Sequence, residues 1–375
     1  MRTEQTIHVL VTGAQGFIGK NLIVHLSENV GVEVLSFVRG DSIEVLNALV
    51  AQADSIIHLA GENRPADVAD FTIVNIDLTR SLCEAIVSTG RNIPLILASS
   101  TQAERDTLYG KSKRAAEQIV EGYATETGNH AVIYRLPGVF GKWCKPNYNS
   151  VVATFCHNIA RDLPIQVNDS ETTLVLVYID DVVDEFIRVL EDIQPGLVWS
   201  KIEHTFTVNL VELAAQITAF KNCRTTLISE RVGTGLTRAL YATYISYLKP
   251  EQFVYDIPMF SDERGIFVEM IKTADSGQFS FFTVHPGVTR GSHYHHSKVE
   301  KFLVVSGVVK MYFRKLVTDE TFEITLSKDK PQVVNSIPGW VHDITNVGIT
   351  EAVVILWANE VFDKQKPDTF PCEVK

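Results

Sequence analysis

The chain has 375 residues, 45% hydrophobic and 21% charged, with a formal charge of −11 and an isoelectric point near 5.5. That length exceeds what one compact core ordinarily reaches, so two domains are expected, and the even composition excludes a disordered or low-complexity protein. No basic stripe points to a nucleic-acid partner, no apolar run is long enough to span a bilayer, and no secretory leader precedes the first strand. The five cysteines, Cys83, Cys144, Cys156, Cys223 and Cys372, lack C-x-x-C pairing, which fits reduced thiols and a cytoplasmic setting.

From the start to about Pro195 the apolar runs HVLVTG, VEVLSFVR, SIIHLAG, PLILASS and HAVIYRLPG alternate with amphipathic stretches. That alternation predicts parallel strands joined by crossover helices. The first run ends in VTGAQGFIGKNL, which puts Gly13, Gly16 and Gly19 between a strand and a helix. The first glycine allows a tight turn, the second lets backbone amides approach a pyrophosphate, and the third lets the helix pack closely, with Phe17 and Ile18 opening the helix beside the phosphates. The second strand ends SFVRG, so Arg39 stands where a carboxylate would hold the ribose of NAD. A guanidinium suits a 2′-phosphate, and NADPH is the expected cofactor.

LASSTQAERDTLYGKSK then places Ser99 and Ser100 at a strand end, followed by Tyr109 and Lys113 one helical turn apart. Residues four apart share a helix face, so Lys113 is expected to approach the Tyr109 phenol and lower its pKa. Tyr109 would donate a proton to a carbonyl oxygen as hydride reaches its carbon, and Ser100 would hold that oxygen. Further on, KWCKPNYNS offers Lys142, Lys145 and Asn149 as contacts for a substrate diphosphate or sugar, with a solvated polar loop as the equal alternative.

After Asp180 the alternation loosens, and VNLVELAAQITAFKNC and LTRALYATYISYLKPEQF predict two more helices closing the first domain. From about Glu251 the texture changes to short runs such as GQFSFFTVHPG, KFLVVSGVVKMYFRKL, ETFEITLS and EAVVILWANEVF, separated by Gly, Pro, Asp and Asn turns. This is the pattern of an all-β unit, with the boundary between Leu248 and Pro258 and domains of 1–250 and 251–375. Within it, GVTRGSHYHHSKVEKFLVVSG brings His293 and His295 to one face of a strand and Glu300 after a turn, and IPGWVHDITN supplies His342. Three imidazoles and a carboxylate suit zinc, iron, nickel or manganese. Alternation turns Lys301 away from the Glu300 face, so it is expected to be solvated.

The first 250 residues resemble the extended short-chain dehydrogenase/reductase family through the glycine turn, Ser100, Tyr109 and Lys113, and the landmarks IIHLAG, YRLPGVFG and VYIDDVV. The resemblance implies nucleotide-sugar substrates, catalytic roles for those three residues and cofactor contacts from Leu59 and Ala60. Gln102 stands where sugar 4,6-dehydratases carry an acidic pair, which weakens a dehydratase reading. The spacing G-x5-H-x-H-x4-E-x6-G from Gly287 to Gly307 is that of the cupin family, with Gly339, His342 and Asn346 matching its second segment. DERGIFVE, Asp262 to Glu269, is similar to a signature of cupin-type epimerases of 4-keto-6-deoxysugars. The fold class implied is α/β, a doubly wound Rossmann-type parallel sheet followed by an all-β cupin (jelly-roll) domain.

In that order the two parts resemble a family of bifunctional enzymes of capsular polysaccharide and O-antigen synthesis. That resemblance implies a homodimer, zinc and a UDP-linked 2-acetamido-2,6-dideoxy-4-hexulose. The cupin would epimerise C3, and NADPH would then reduce C4 to UDP-2-acetamido-2,6-dideoxy-L-talose, a precursor of UDP-N-acetyl-L-fucosamine. A 4-ketone acidifies the hydrogen at C3, so one intermediate would serve both domains. Three alternatives remain: a single-function ketoreductase with a non-catalytic metal-binding cupin, a nucleotide and sugar sensor, and a reductase fused to a metal oxygenase.

Overall fold

A computed structural model describes residues 6–167, 169–192, 194–262, 265–268, 271, 277–360 and 365–374. Its contacts divide the chain into two compact units, Met1–Ser150 with Leu174–Thr207, and Val151–Thr173 with Val208–Lys375.

The first unit is built on a six-stranded parallel sheet. In spatial order its strands are Val32–Phe37, Ile7–Thr12, Ser55–His58, Leu95–Ser100, Ala131–Leu136 and Leu197–Ser200. The chain moves outward from the first strand to the second and then returns past the first to the third, so strand order reverses beside Ile7–Thr12. In such sheets the crevice outside the carboxyl ends of the strands at this reversal is where ligands bind. One face of the sheet buries Leu10, Ile56, Leu95, Leu97 and Ile133 against Leu46 and Val50 of the helix Ile43–Gln52, Leu82 and Ile86 of Leu78–Ser88, and Val120 of Leu108–Thr127. The strand Ser55–His58 is buried throughout, the usual state of a parallel strand covered on both faces. The Thr107 hydroxyl caps Leu108–Thr127 by accepting from the Gly110 amide at 3.0 Å. A π-helical turn, Phe71–Asp77, runs directly into Leu78–Ser88, a feature that hydrophobic periodicity does not reveal.

The second unit contains two five-stranded antiparallel sheets. One runs Val254–Asp256, Gln332–Asn335, Glu300–Ser306, Ala352–Ala358, Gln278–Val284, and the other Thr321–Ser327, Val308–Lys315, Trp340–Asn346, Thr289–Tyr294, Phe370–Pro371. Aromatic side chains join them: Phe302 of the first sheet lies 5.8 Å from the His342 ring of the second. The two expected helices form as Leu210–Thr226 and Gly235–Ser246, and by contact they belong to this unit. They lie over the outer face of the first sheet, where the Arg224 guanidinium donates to the Val254 carbonyl and Asn359 donates to the Val232 carbonyl. Among the described residues no helix is long and apolar enough to cross a membrane, and the five cysteines are unbridged.

Candidate functional site

The glycine turn sits at the sheet reversal. Gly13 has φ +67°, and a Cβ there would lie 2.7 Å from the Ala60 amide nitrogen, so the end of the first strand touches the backbone at Leu59 and Ala60. The Gly16 amide donates to the Gly13 carbonyl at 2.8 Å, and Gly16 itself is exposed at the N-cap of the helix Phe17–Ser27. No acidic residue occupies the first turn of that helix, so nothing competes with an incoming anion for its positive end. Backbone crowding that only glycine tolerates, beside an uncontested helix N-terminus, fits the pyrophosphate of a dinucleotide. Phe17, Ile18, Leu59 and Ala60 border this cradle.

Arg39 follows the second strand, its side chain 76% exposed, yet its guanidinium already donates to Glu62 Oε2. Glu62 is 7% exposed, and its Oε1 accepts from the Tyr148 hydroxyl at 2.6 Å. Burial pushes the Glu62 carboxyl up, and the bonds from Tyr148 and Arg39 more than reverse this, leaving it below its usual value. Burial and the neighbouring carboxylate push the Tyr148 phenol up to about 12. The sequence reading missed Glu62; its one signal was a carboxylate directly after the third-strand landmark.

Ser100 and Tyr109 come together, and Lys113, one helical turn on, brings its ammonium to Gly61, the residue after Ala60 of the cradle. Ser100 ends its strand and hydrogen-bonds the Tyr109 phenol, whose ring packs against Phe71 with centroids 6.1 Å apart. Strand alternation turns Ser99 to the other face, where its hydroxyl donates to the buried Glu117 carboxylate that Arg135 also holds. Lys113 is buried and its Nζ donates to the Ala98 carbonyl at 2.9 Å. Burial lowers its pKa to about 8 against the opposing charge of Glu117. The expected lowering of the Tyr109 pKa is corrected here: burial raises it, and the Ser100 hydroxyl only partly offsets that.

Two buried polar groups behind this site were not foreseen. Asn75 accepts from the Glu62 amide at 2.7 Å and donates to the Glu62 carbonyl and the Ser112 hydroxyl. His58 bridges the Thr12 and Thr79 hydroxyls at 2.6 and 2.9 Å, and burial with the Lys113 charge lowers its pKa to about 3.

The three substrate-segment candidates separate. Lys142 is 1% exposed, its ammonium is paired with Asp180 at 2.9 Å, and its carbonyl accepts from Asn21. Its charge is engaged in a buried ion pair, which counts against the expected substrate contact. Lys145 and Asn149 are exposed, and the Lys145 ammonium lies 4.9 Å from the Tyr148 ring centroid.

In the second unit His293, His295, Glu300 and His342 converge, each offering a ligand atom within 4.8 Å of the others. Strand pairing explains this: His293 is opposite His342 in the antiparallel register, after a bulge between Gly291 and His293 that re-aims the chain. His295 Nε2 lies 3.1 Å and His342 Nε2 3.5 Å from Glu300 Oε2. Burial lowers the His342 pKa and takes that of His293 down to about 4. Burial opposes ionisation of Glu300, but the surrounding histidines and Lys298 hold it well below its usual value. Among the described residues the buried His342 Nδ1 has no hydrogen-bond partner and Nε2 has only Glu300 Oε2, 3.5 Å away, which costs free energy unless a ligand is bound. Neutral imidazoles, an ionised carboxylate and this orphaned ring fit a divalent cation. Asp368 supports the cluster from outside: its carbonyl faces His295 Nδ1, and its carboxylate accepts from the amides of His296, Ser297 and Lys298.

Lys301 departs from expectation. It is 2% exposed, and its ammonium donates to Asn335 Oδ1 at 2.8 Å and the Tyr255 hydroxyl at 3.3 Å. Alternation did turn it away from Glu300, but helices cover that outer face. Of the epimerase-like signature, Glu263, Arg264 and Glu269 lie outside the described residues, and the rest forms the paired strands Met259–Asp262 and Gly265–Val268.

Residues 9–200 match the NAD-dependent epimerase/dehydratase family, and residues 260–370 match the polysaccharide biosynthesis C-terminal domain. The chain is 55% identical over 366 residues, 98% of both proteins, to UDP-2-acetamido-2,6-beta-L-arabino-hexul-4-ose reductase of Pseudomonas aeruginosa. The crystal structure of the capsular polysaccharide assembling protein CapF of Staphylococcus aureus is 41% identical with a TM-score of 0.66, covering 98% of this chain and 100% of that one. Part of the chain is also similar to the spore coat polysaccharide biosynthesis protein SpsL of Bacillus subtilis, 25% identical over 118 residues, 29% of this chain and 78% of that protein.

Proposed function

The chain belongs to the NAD-dependent epimerase/dehydratase family, and from that premise we propose that it is a bifunctional UDP-sugar enzyme with its labour divided near residue 250. The C-terminal domain, read as a cupin, epimerises C3 of a UDP-linked 2-acetamido-2,6-dideoxy-4-hexulose. The N-terminal domain reduces the C4 ketone with NADPH to UDP-2-acetamido-2,6-dideoxy-L-talose, a precursor of UDP-N-acetyl-L-fucosamine for capsule or O-antigen. The protein acts as a cytoplasmic homodimer with zinc in the second domain. The observation carrying the reading is that one chain holds both the Ser100, Tyr109, Lys113 group and the four-donor cluster of His293, His295, Glu300 and His342.

Gly13, Gly16, Gly19 and the helix start would hold the dinucleotide pyrophosphate, with Arg39 at the 2′-phosphate. When bound, the cofactor supplies hydride to C4. Tyr109, protonated at neutral pH, gives its phenolic proton to the C4 oxygen, and the Ser100 hydroxyl opposes the weakening of this acid that burial brings. Ser100 donates to the same oxygen and fixes its position. Lys113, with a pKa brought to about 8, returns a proton toward the phenol once Tyr109 has given its own. In the second domain His293, His295, Glu300 and His342 would hold the cation, which supplies positive charge to a pocket where the C3 proton, acidified by the ketone, is exchanged.

Proton NMR of the UDP-4-keto sugar in D₂O without NADPH tests the first step: deuterium enters C3. Tyr109→Phe then keeps this exchange and loses ketone reduction by about 10²–10⁴-fold. No exchange from folded, metal-loaded enzyme leaves a single-function ketoreductase, and normal reduction by Tyr109→Phe removes the catalytic assignment.

A further inference from the structure

Glu62 joins two parts of the first unit that the proposed reaction uses separately. Its backbone is clamped by Asn75, which accepts from its amide at 2.7 Å and donates to its carbonyl at 2.9 Å. Asn75 also holds Ser112, the residue before Lys113. The carboxylate is therefore fixed in place while both of its side-chain partners come from surface segments. Oε2 takes the guanidinium of the exposed Arg39, and Oε1 takes the Tyr148 hydroxyl at 2.6 Å. Tyr148 in turn carries the Lys145 ammonium over its ring. Arg39, Glu62, Tyr148 and Lys145 thus form an unbroken chain from the end of the second strand to the segment bearing the remaining diphosphate candidate.

We infer that Glu62 is a positioning residue through which a phosphate on the cofactor ribose, by drawing Arg39 to itself, tightens the Tyr148–Lys145 segment for the nucleotide sugar. This rests on the reading of Arg39 as the 2′-phosphate contact. A phosphate carries more charge than a carboxylate and accepts from a guanidinium in the same forked geometry, so Arg39 leaves Glu62 when the phosphate arrives. The carboxylate stays buried with one donor fewer. Its field then falls on the Tyr148 hydroxyl, and that charge-assisted bond strengthens as the competing cation departs. A cofactor lacking the 2′-phosphate leaves Arg39 on Glu62 and the segment as it was. The two binding events are coupled, and the coupling is reciprocal: whatever factor NADP⁺ adds to nucleotide affinity, the nucleotide adds to NADP⁺ affinity. A change of about one hydrogen bond corresponds to roughly threefold to tenfold.

Isothermal titration of UDP into the full chain saturated with NADP⁺ or with NAD⁺ reads this directly. UDP is expected to bind about threefold to tenfold more tightly with NADP⁺. Tyr148→Phe, which removes only the hydroxyl, abolishes that difference; Glu62→Gln abolishes the difference as well. Equal UDP affinity with the two cofactors, or a difference that survives Tyr148→Phe, overturns the inference. Arg39→Ala, titrated with each cofactor alone, separates the premise. If NADP⁺ and NAD⁺ weaken equally, the 2′-phosphate reading falls and the coupling with it. If only NADP⁺ weakens while wild-type protein shows no coupling, Arg39 keeps its role and Glu62 loses the one inferred for it.

Discussion

Replacing Gly19 by alanine opposes two effects of known sign. Gly19 is the third residue of the helix Phe17–Ser27, and in an unconstrained helix alanine is favoured over glycine by about 1 kcal/mol. A Cβ at Gly19, however, would lie 2.7 Å from the Ala14 carbonyl oxygen and 2.9 Å from its carbon, with the Gly13 oxygen closer still. All three are backbone atoms of the cofactor turn, so no side chain can rotate away and the helix itself must move. Overpacking of this kind costs about 1–3 kcal/mol, toward the upper end where the neighbours are rigid. The net expectation is a loss of about 1–2 kcal/mol, with NADP⁺ affinity reduced at least about tenfold because the displaced helix end carries the phosphate-facing amides. Gly122, in the middle of Leu108–Thr127, is the control: a Cβ there meets nothing within 4 Å. Gly122→Ala should stabilise by about 0.5–1 kcal/mol. Urea midpoints of the two variants, with NADP⁺ titrations beside them, give the comparison. If Gly19→Ala stabilises as much as Gly122→Ala and binds NADP⁺ normally, the close packing of helix on turn does not constrain this site.

His58 should set part of the acid response. Its folded pKa near 3 lies below the ordinary histidine value of about 6.5, so the unfolded chain binds the extra proton first, and stability is lost as pH falls from about 6.5 toward 3. His58→Gln should flatten that limb of a urea-midpoint profile while lowering stability at pH 7.5, and an unchanged limb would contradict it. Lys301→Met leaves Asn335 Oδ1 and the Tyr255 hydroxyl without their donor, so a loss of about 1–3 kcal/mol is expected in denaturant unfolding. A solvated lysine would give a change within about 0.5 kcal/mol. Stripping metal with a chelator should lower the melting temperature, and added zinc at about 100 times its dissociation constant should restore about 2.7 kcal/mol. His342→Ala should abolish the zinc response in scanning calorimetry; a full response from that variant would exclude His342 as a ligand.

The alternation of strand and helix, the glycine turn, the one-turn spacing of Tyr109 and Lys113 and the grouping of His293, His295, Glu300 and His342 were all legible in the sequence. The first three rest on a local period or spacing that the backbone converts directly into structure, and His342 joins the group through the resemblance of its segment and through strand pairing. The positions the sequence misjudged depend on what covers a face. Lys301 was correctly turned away from Glu300, yet two helices distant in sequence make that face an interior. Lys142 sits in a polar loop by composition, but Asp180, 38 residues later, draws its ammonium inside. Tyr109 was expected to be acidified by Lys113, whereas burial, which no spacing reveals, dominates its pKa and that of the lysine. Glu62, Asn75 and His58 escaped notice because buried hydrogen-bond partners are chosen by proximity in three dimensions. Periodicity therefore determined the elements and the shared faces of this protein, while only tertiary packing decided which polar groups lost their water, since desolvation depends on every neighbour that closes over a side chain.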